Sequence, residues 1–255
     1  MTVIAIAGDK SISQNELQAL AIACKIPLLT ENISPDYLLY QSSERLELCS
    51  QKDKKTGAVY ADFIGGKAQH RRLQGGGKGQ HIAKAVGLHK IQNPTILDTT
   101  AGLGRDAFIL ASLGCKVTLL ERSPVIHALL NDALLRLRQS DQAELIDIAT
   151  KMTLIHVDAI EYLQNLSDKL DVIYIDPMFP ERQKKAQVKK EMRFFHDIAG
   201  KDLDSVELLS LARNCANKRI VVKRPRLADA LGDKQADFVI TGKSTRYDIY
   251  LPAST

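Results

Sequence analysis

The 255-residue sequence predicts an α/β fold: a mostly parallel, seven-stranded sheet that ends in an antiparallel hairpin and follows a small N-terminal α+β subdomain. Three observations predict it. After Pro94, short apolar runs alternate with amphipathic helical segments, the rhythm of a parallel sheet covered by helices on both faces. Before it, the first sixty or so residues hold closely spaced β-like runs around one helix. At the far end, "DFVITGKSTRYDIYLP" reads as two strands around Thr241 to Ser244, with Gly242 in the turn. The resulting division is residues 1–65 for the small subdomain, 66–93 for a basic, Gly-rich connector with short helices, and 94–255 for the main domain.

Each element has its own signal. In the first part, "TVIAIA", "DYLLYQSS", "RLELCSQ" and "GAVYADF" read as strands in hairpin style, and "QNELQALAIACKI" as the helix. In the main domain "TILDTT" leads to a helix through "GRDAFILASLG", and "CKVTLLE" leads to "SPVIHALLNDALLRLRQ". Val125, Leu129, Leu130, Ala133 and Leu134 form the apolar face of the latter. "MTLIHVD" precedes the helix "AIEYLQNL"; "LDVIYID" precedes a loop and helices near "VKKEMRFFHDIA" and "SVELLSLARNCA"; "RIVVKR" follows as a strand.

Composition restricts the class. At 45% hydrophobic and 25% charged residues the chain is ordinary globular protein. No apolar run approaches the roughly 20 residues of a membrane span, and the start lacks a basic n-region with a long apolar stretch, so a cytosolic protein is expected. Cys24, Cys49, Cys115 and Cys215 lie far apart, which favours reduced thiols over a disulfide framework or zinc site. The six histidines show no metal-ligand spacing, and no metal is expected. "GGGKGQ" has Gly79 where a nucleotide P-loop needs Ser or Thr, and no strand precedes it.

The net charge of +5 is unevenly spread. Phe63 to Leu97 contains no acid, and two further basic runs are "ERQKKAQVKKEMR" and "NKRIVVKRPRLA". One such run is usually a solvated surface; three on one rim would suit a polyanion. Arg71, Arg72, Lys78, Lys184, Lys185, Lys189, Lys190, Lys223 and Arg224 are the candidates for contact with the phosphates of such a partner.

The chemistry concentrates at the strand ends. In "LDTTAGLGRDAF", Gly102, Gly104 and Ala107 make a Gly-x-Gly-x-x-Ala pattern between a strand and a helix, the context a nucleotide-binding turn requires. Asp98 closes the strand before this loop and Glu121 the next strand, where a carboxylate can accept from both ribose hydroxyls or, alternatively, cap the helix near Ser123. Asp158 and Asp176 close two more strands. A helix N-cap is a natural role for Asp158 but not for Asp176, which enters "DPMFP". A sheet of this kind closing on an antiparallel hairpin is the plan of the Rossmann-like class I methyltransferases, whereas nicotinamide-binding folds usually continue parallel.

"DPMFP" resembles the Asp/Asn-Pro-Pro-Tyr/Phe signature of methyltransferases that act on exocyclic amines of nucleobases, with Met178 in place of the second proline. The Asp176 carboxylate and the Pro177 carbonyl would accept the two amine protons and favour an available lone pair, and Phe179 would stack on a base. With "LDTTAGLGRDAFILASLGCKVTLLERSP", the basic run after DPMFP, and "VVKRP", the chain resembles the ribosomal RNA small subunit methyltransferase J family from about Gly75 onward. That resemblance implies S-adenosylmethionine-dependent methylation of the 2-amino group of a guanosine near the 3′ end of small-subunit (16S) rRNA. The partner it implies is the rRNA or the 30S subunit, and no membrane and no obligate protein partner are expected. It also implies cofactor contacts at Arg105 and Asp106, at Glu121 and Arg122, at Asp158 and Ala159, and at Asp176. The alternatives are an NAD-dependent oxidoreductase, which leaves DPMFP without a role, and a non-catalytic RNA-binding protein on the same scaffold, which would not need the three acids together.

Overall fold

A computed structural model describes residues 2–53, 57–177, 198, 204–232 and 234–253. The segment expected to be helical near "VKKEMRFFHDIA" lies outside the described residues except for Ile198. Among the described residues, ten strands form a three-stranded and a seven-stranded sheet, and no helix is long and apolar enough to cross a membrane.

The small sheet starts with β1 (Ile4–Gly8). Helix α1 (Gln14–Cys24) then carries the chain back to β2 (Tyr37–Gln41), which pairs parallel to β1. A capping box starts α1: the Ser13 hydroxyl accepts from the Glu16 N–H, and the Glu16 carboxylate accepts from the Ser13 N–H at 2.9 Å. β3 (Leu46–Ser50) folds back antiparallel on β2. The expected hairpin series is therefore a βαβ unit with one hairpin. Instead of the strand expected over "GAVYADF" there is one bridge, Val59 opposite Leu48. The reason is local: Asp62 Oδ1 accepts from the N–H groups of Ile64 (3.1 Å) and Gly65 (3.3 Å), which turns the chain off the sheet.

The connector holds α2 (Gly66–Gln74), a 3₁₀ turn at Gly77–Gly79 and α3 (His81–Ala85). The main sheet follows with β4 (Thr95–Asp98), β5 (Lys116–Glu121), β6 (Met152–His156), β7 (Leu170–Ile175), β8 (Ala216–Pro225), β9 (Phe238–Thr241) and β10 (Thr245–Tyr250). Their spatial order is β6-β5-β4-β7-β8-β10-β9. β4 to β8 run parallel, and β10 is antiparallel to both β8 and β9. The Gly242 N–H closes the terminal hairpin on the Thr245 carbonyl at 2.7 Å, as expected. The order reverses between β4 and β7, so the carboxyl ends of those strands open a crevice.

Helices α4 (Arg105–Ser112), α5 (Pro124–Arg138), α6 (Ala143–Thr150), α7 (Ala159–Gln164) and α8 (Ser205–Cys215) cover the sheet. Successive residues feed opposite layers. Ile96, Leu119, Tyr174 and Val221 belong to one buried cluster, while Leu97, Leu120, Ile175 and Val222 belong to the other, which is why these strands are apolar throughout. The five residues of the anticipated α5 face are all buried. Helix α6 was not anticipated, although the i, i+3, i+4 spacing of its buried Leu145, Ile148 and Ala149 carries it.

The first cluster also contains Ile6, Leu39, Leu48 and Phe63, so the early segments share the core of the main sheet. Phe63 stacks on Phe108 of α4, with ring centroids 4.9 Å apart and planes at 16°. Gly104 sits against this pair at φ 68°, where an added Cβ would lie 2.7 Å from Leu130 Cδ1 and 3.0 Å from Phe63 Cζ. Removing the Phe63 ring would leave a cavity under the glycine loop. Phe63→Ala is expected to cost about 3–5 kcal/mol in urea denaturation; a loss below about 1 kcal/mol would mean that Phe63 does not brace this core.

Candidate active site

The loop after β4 is strung between its two neighbours. The N–H and hydroxyl of Thr99 both donate to the Tyr174 carbonyl on β7, each at 3.0 Å. The Ala101 N–H donates to the Leu120 carbonyl on β5 (3.1 Å), and the Gly102 N–H to Glu121 Oε2 (3.1 Å). Gly102 has φ 53°, and a Cβ built there would meet nothing closer than the Thr100 carbonyl at 4.0 Å, so the backbone faces open space. Glu121 Oε1 accepts from the Ser123 N–H at 2.8 Å, and Ser123 is the N-cap of α5. Of the two roles weighed for Glu121, the cap itself belongs to Ser123; Glu121 holds the cap residue and the glycine loop together.

Around this loop lies a cleft with about 650 Å³ of empty space, including the part open to solvent. Thr99, Thr100 and Gly102 form one wall, Glu121 and Arg122 another, and Leu120, Ile126, Val157, Ile160 and Leu208 an apolar lining; Asp158, Ala159, Asp176, Pro177, Asp204 and Ser205 complete it. Asp158 is the N-cap of α7, accepting at Oδ1 from the N–H groups of Ile160 (2.9 Å) and Glu161 (3.3 Å). Arg122 reaches Asp204 at 2.9 Å and Asp158 at 3.8 Å. A carboxylate beside an unobstructed glycine backbone and a slot with aliphatic sides suit the ribose and the ring of a nucleoside. The residues present therefore fit S-adenosylmethionine.

Beside the cleft lies a line of alternating charges. Lys223 Nζ is 2.6 Å from Asp176 Oδ2 and 2.8 Å from Asp106 Oδ2. The guanidinium of Arg71, on α2, pairs with Asp106 Oδ1, and the Tyr174 hydroxyl donates to Asp106 Oδ2 at 2.7 Å. The Asp176 N–H donates to Thr100 Oγ1 at 2.7 Å, which pins the backbone where β7 ends. Burial by itself would raise the pKa of Asp106, but Lys223 and Arg71 outweigh it and hold the carboxyl well below the usual range. Burial likewise opposes the Lys223 charge, and Asp176 and Asp106 more than offset it, so Lys223 stays an ammonium. The magnitudes explain why two carboxylates are needed. Desolvating an ion costs several kcal/mol, whereas one partner at 4 Å returns about 4 kcal/mol at an effective dielectric of about 20.

The predicted residues divide accordingly. Gly102, Glu121, Arg122, Asp158, Ala159, Asp176 and Pro177 line the cleft. Asp98 is 2% exposed beneath the loop, where its Oδ1 accepts from the Thr100 N–H at 3.1 Å. Gly104 packs into the core, Arg105 opens α4, and Asp106 turns to Arg71, Lys223 and Tyr174 instead of the cleft. Among the RNA candidates, Lys78 is exposed and Arg71 is tied to Asp106. Three others are engaged within the chain. Arg72 is largely covered and pairs with Glu144 at 2.6 Å. Lys223 is turned onto Asp106 and Asp176. Arg224 is buried, with its guanidinium on the Asp229 carbonyl, because strand alternation sends it inward. Phe179, Lys184, Lys185, Lys189 and Lys190 lie outside the described residues. Sequence reasoning missed Thr100, Tyr174 and Asp204. The Lys223–Asp176 contact follows from the pairing of β7 with β8, in which Ile175 registers with Val222 and the next positions are Asp176 and Lys223. All four cysteines are free; burial pushes the Cys24 thiol up to about 11 and the Cys115 thiol up to about 12.

Burial raises Asp98 to about 8, with Asp106 and Asp176 adding to the rise and the Thr100 N–H opposing it. Between the unperturbed value of 3.8 and about 8 the folded chain therefore holds a proton that the unfolded chain has lost. Stability from this group thus falls as pH rises through that window. Asp98→Asn, which keeps an acceptor for Thr100, is expected to flatten the decline. Urea denaturation at pH 5 and pH 8 measures it, and an unchanged pH dependence would contradict the burial argument.

Comparison with known proteins agrees with this geometry. A family model described as "Putative SAM-dependent methyltransferase" matches residues 22–252. Ribosomal RNA small subunit methyltransferase J of Aeromonas salmonicida is 50% identical over 226 residues, covering 89% of this chain and 90% of that protein. The protein of the same name from Chromobacterium violaceum is 49% identical over 230 residues, covering 89% and 88%. A crystal structure of a SAM-dependent methyltransferase from Neisseria gonorrhoeae superposes with a TM-score of 0.77 at 36% identity, covering 100% of this chain and 97% of that one. With a seven-stranded class I sheet, a glycine loop braced by Glu121 and relatives of this closeness, the chain belongs to the ribosomal RNA small subunit methyltransferase J family of S-adenosylmethionine-dependent methyltransferases.

Proposed function

We propose that the protein transfers a methyl group from S-adenosylmethionine to the exocyclic 2-amino group of a guanosine in small-subunit (16S) ribosomal RNA. The observation that carries this reading is Asp176. Its carboxylate stands at the edge of the cleft, its N–H is pinned by Thr100, and Pro177 follows it directly. The relatives' names supply the ribosomal RNA. The guanine amine comes from the resemblance of the DPMFP segment to amine-modifying enzymes and from the chemistry that segment suits. The nicotinamide-dependent alternative does not fit a member of this family, and a purely RNA-binding role leaves the Asp176 and Glu121 arrangement unused.

When bound, S-adenosylmethionine supplies an electrophilic methyl on a sulfonium. Glu121 holds the ribose side, and Val157, Ile160 and Leu208 exclude water around the ring. Asp176 and the Pro177 carbonyl accept the two amine protons of a flipped guanine and turn its lone pair toward the methyl. The sulfonium would supply the methyl to that nitrogen and would retain the electron pair of the carbon–sulfur bond. Asp176 takes the surplus proton from nitrogen and passes it to solvent. Phe179 stacks on the base, and Lys184, Lys185, Lys189 and Lys190 meet phosphates. Arg71, a candidate phosphate contact by sequence, serves instead as a counter-ion of Asp106. Such work on rRNA or a 30S subunit is cytoplasmic and needs no membrane.

The test uses purified protein, methyl-labelled S-adenosylmethionine and small-subunit RNA or subunits from cells lacking the gene. Label is expected in 2-methylguanosine; label in another nucleoside, or none, would overturn the reading. Asp176→Ala is expected to lower the rate about 100-fold or more while cofactor affinity by calorimetry stays near that of the parent. Full transfer by this variant would remove Asp176 from the mechanism.

A further inference from the structure

A cation 2.6 Å from the carboxylate that accepts the substrate amine is not a neutral bystander. Lys223 occupies the place next to Asp176 because β8 runs parallel to β7 in the register Ile175–Val222. Its ammonium is about three-quarters covered and is gripped from behind by Asp106 Oδ2 at 2.8 Å. Asp106 is itself fixed by Arg71 and the Tyr174 hydroxyl, so the ammonium cannot follow Asp176 if that carboxylate rotates. A carboxylate offers about four acceptor sites on two oxygens. One oxygen can therefore remain clamped while the group also accepts a proton of the amine.

We propose that Lys223 is a positioning residue for methyl transfer: it clamps Asp176 Oδ2, fixes the plane of that carboxylate at the cleft edge, and sets a positive charge between it and Asp106. The inference rests on the reading of Asp176 as the amine acceptor. The groups facing Lys223 are Asp176, Asp106, and, through Asp106, Arg71 and Tyr174; Asp98 contributes a further carboxyl from β4, and the buried Tyr247 of β10 stands opposite Lys223 in the antiparallel register. Arg71, Asp106, Lys223 and Asp176 alternate in sign and sum to no net charge, so the clamp adds no repulsion toward a cationic sulfonium. Removing the ammonium leaves Asp106 and Asp176 as neighbouring like charges, which favours protonation of one of them.

The full-length protein and its Lys223→Met and Lys223→Arg variants are compared in single-turnover transfer to small-subunit RNA from pH 5 to 9 with saturating cofactor. Lys223→Met is expected to slow transfer on the order of 100-fold at neutral pH, the effect of a misplaced reacting group. Its acid limb should move to higher pH, with cofactor affinity and KM for RNA retained. Lys223→Arg, which keeps the charge, should restore much of the rate and the parent's acid limb. It also keeps the test decisive should Lys223→Met fold poorly, because an arginine variant whose limb shifts as far as expected for loss of charge would overturn the clamp. An active parent with an unchanged limb in Lys223→Met would overturn this inference alone. A raised KM for RNA with an unchanged rate would make Lys223 a phosphate contact and would overturn it equally. An inactive parent would overturn the functional reading and this inference with it.

Discussion

Three carboxylates, Asp98, Asp106 and Asp176, meet where the central strands of the main sheet end, and the fold keeps Asp106 and Asp176 together by placing Lys223 between them and Arg71 behind Asp106. Arg71 and Lys223 alternate with Asp106 and Asp176, and each cation offsets repulsion that would otherwise drive a proton onto a neighbouring acid. Asp98, buried beneath the loop, shows the other outcome, since its carboxyl is pushed up to about 8. An acid paired with a cation at the mouth and an acid whose pKa burial raises at the floor follow from the same packing. The mouth can accept hydrogen bonds from a substrate, while the floor carries no charge into the core.

The segments before β4 take part in this arrangement. Phe63 lies under Gly104 and stacks on Phe108, and Arg71 extends from α2 to the far side of Asp106. The glycine loop is thus braced from below by an aromatic pair and from the side by an ion pair. On its open face it is strung between the Tyr174 carbonyl and the Glu121 carboxylate. A loop held on three sides can present its backbone to a nucleoside without losing its shape when the ligand leaves, the preorganisation that binding and transfer both need.

The main sheet was legible because its signals are repetitive. Strands buried on both faces read as continuous apolar runs, β4 to β7 each lead into an acid, and Gly242 marks the final hairpin. The acids were found for the same reason. What the sequence concealed were contacts made across the fold. Lys223 and Arg224 are adjacent basic residues in one run, yet strand alternation sends one to Asp176 and buries the other. Asp62, which takes two backbone N–H groups, ended a run that looked like a strand. A residue's charge and its neighbours along the chain do not reveal whether it faces solvent or a partner some fifty positions away; only the register of β7 against β8 does.

The central claim is that one cleft brings a nucleoside cofactor to Asp176. A crystal structure of the complex with S-adenosylhomocysteine tests it most directly. The account predicts ribose hydroxyls on Glu121, the adenine ring between the aliphatic walls near Asp158 and Ala159, and the sulfur facing Asp176 and Pro177. A nucleoside bound elsewhere, or a sulfur directed away from Asp176, would contradict it.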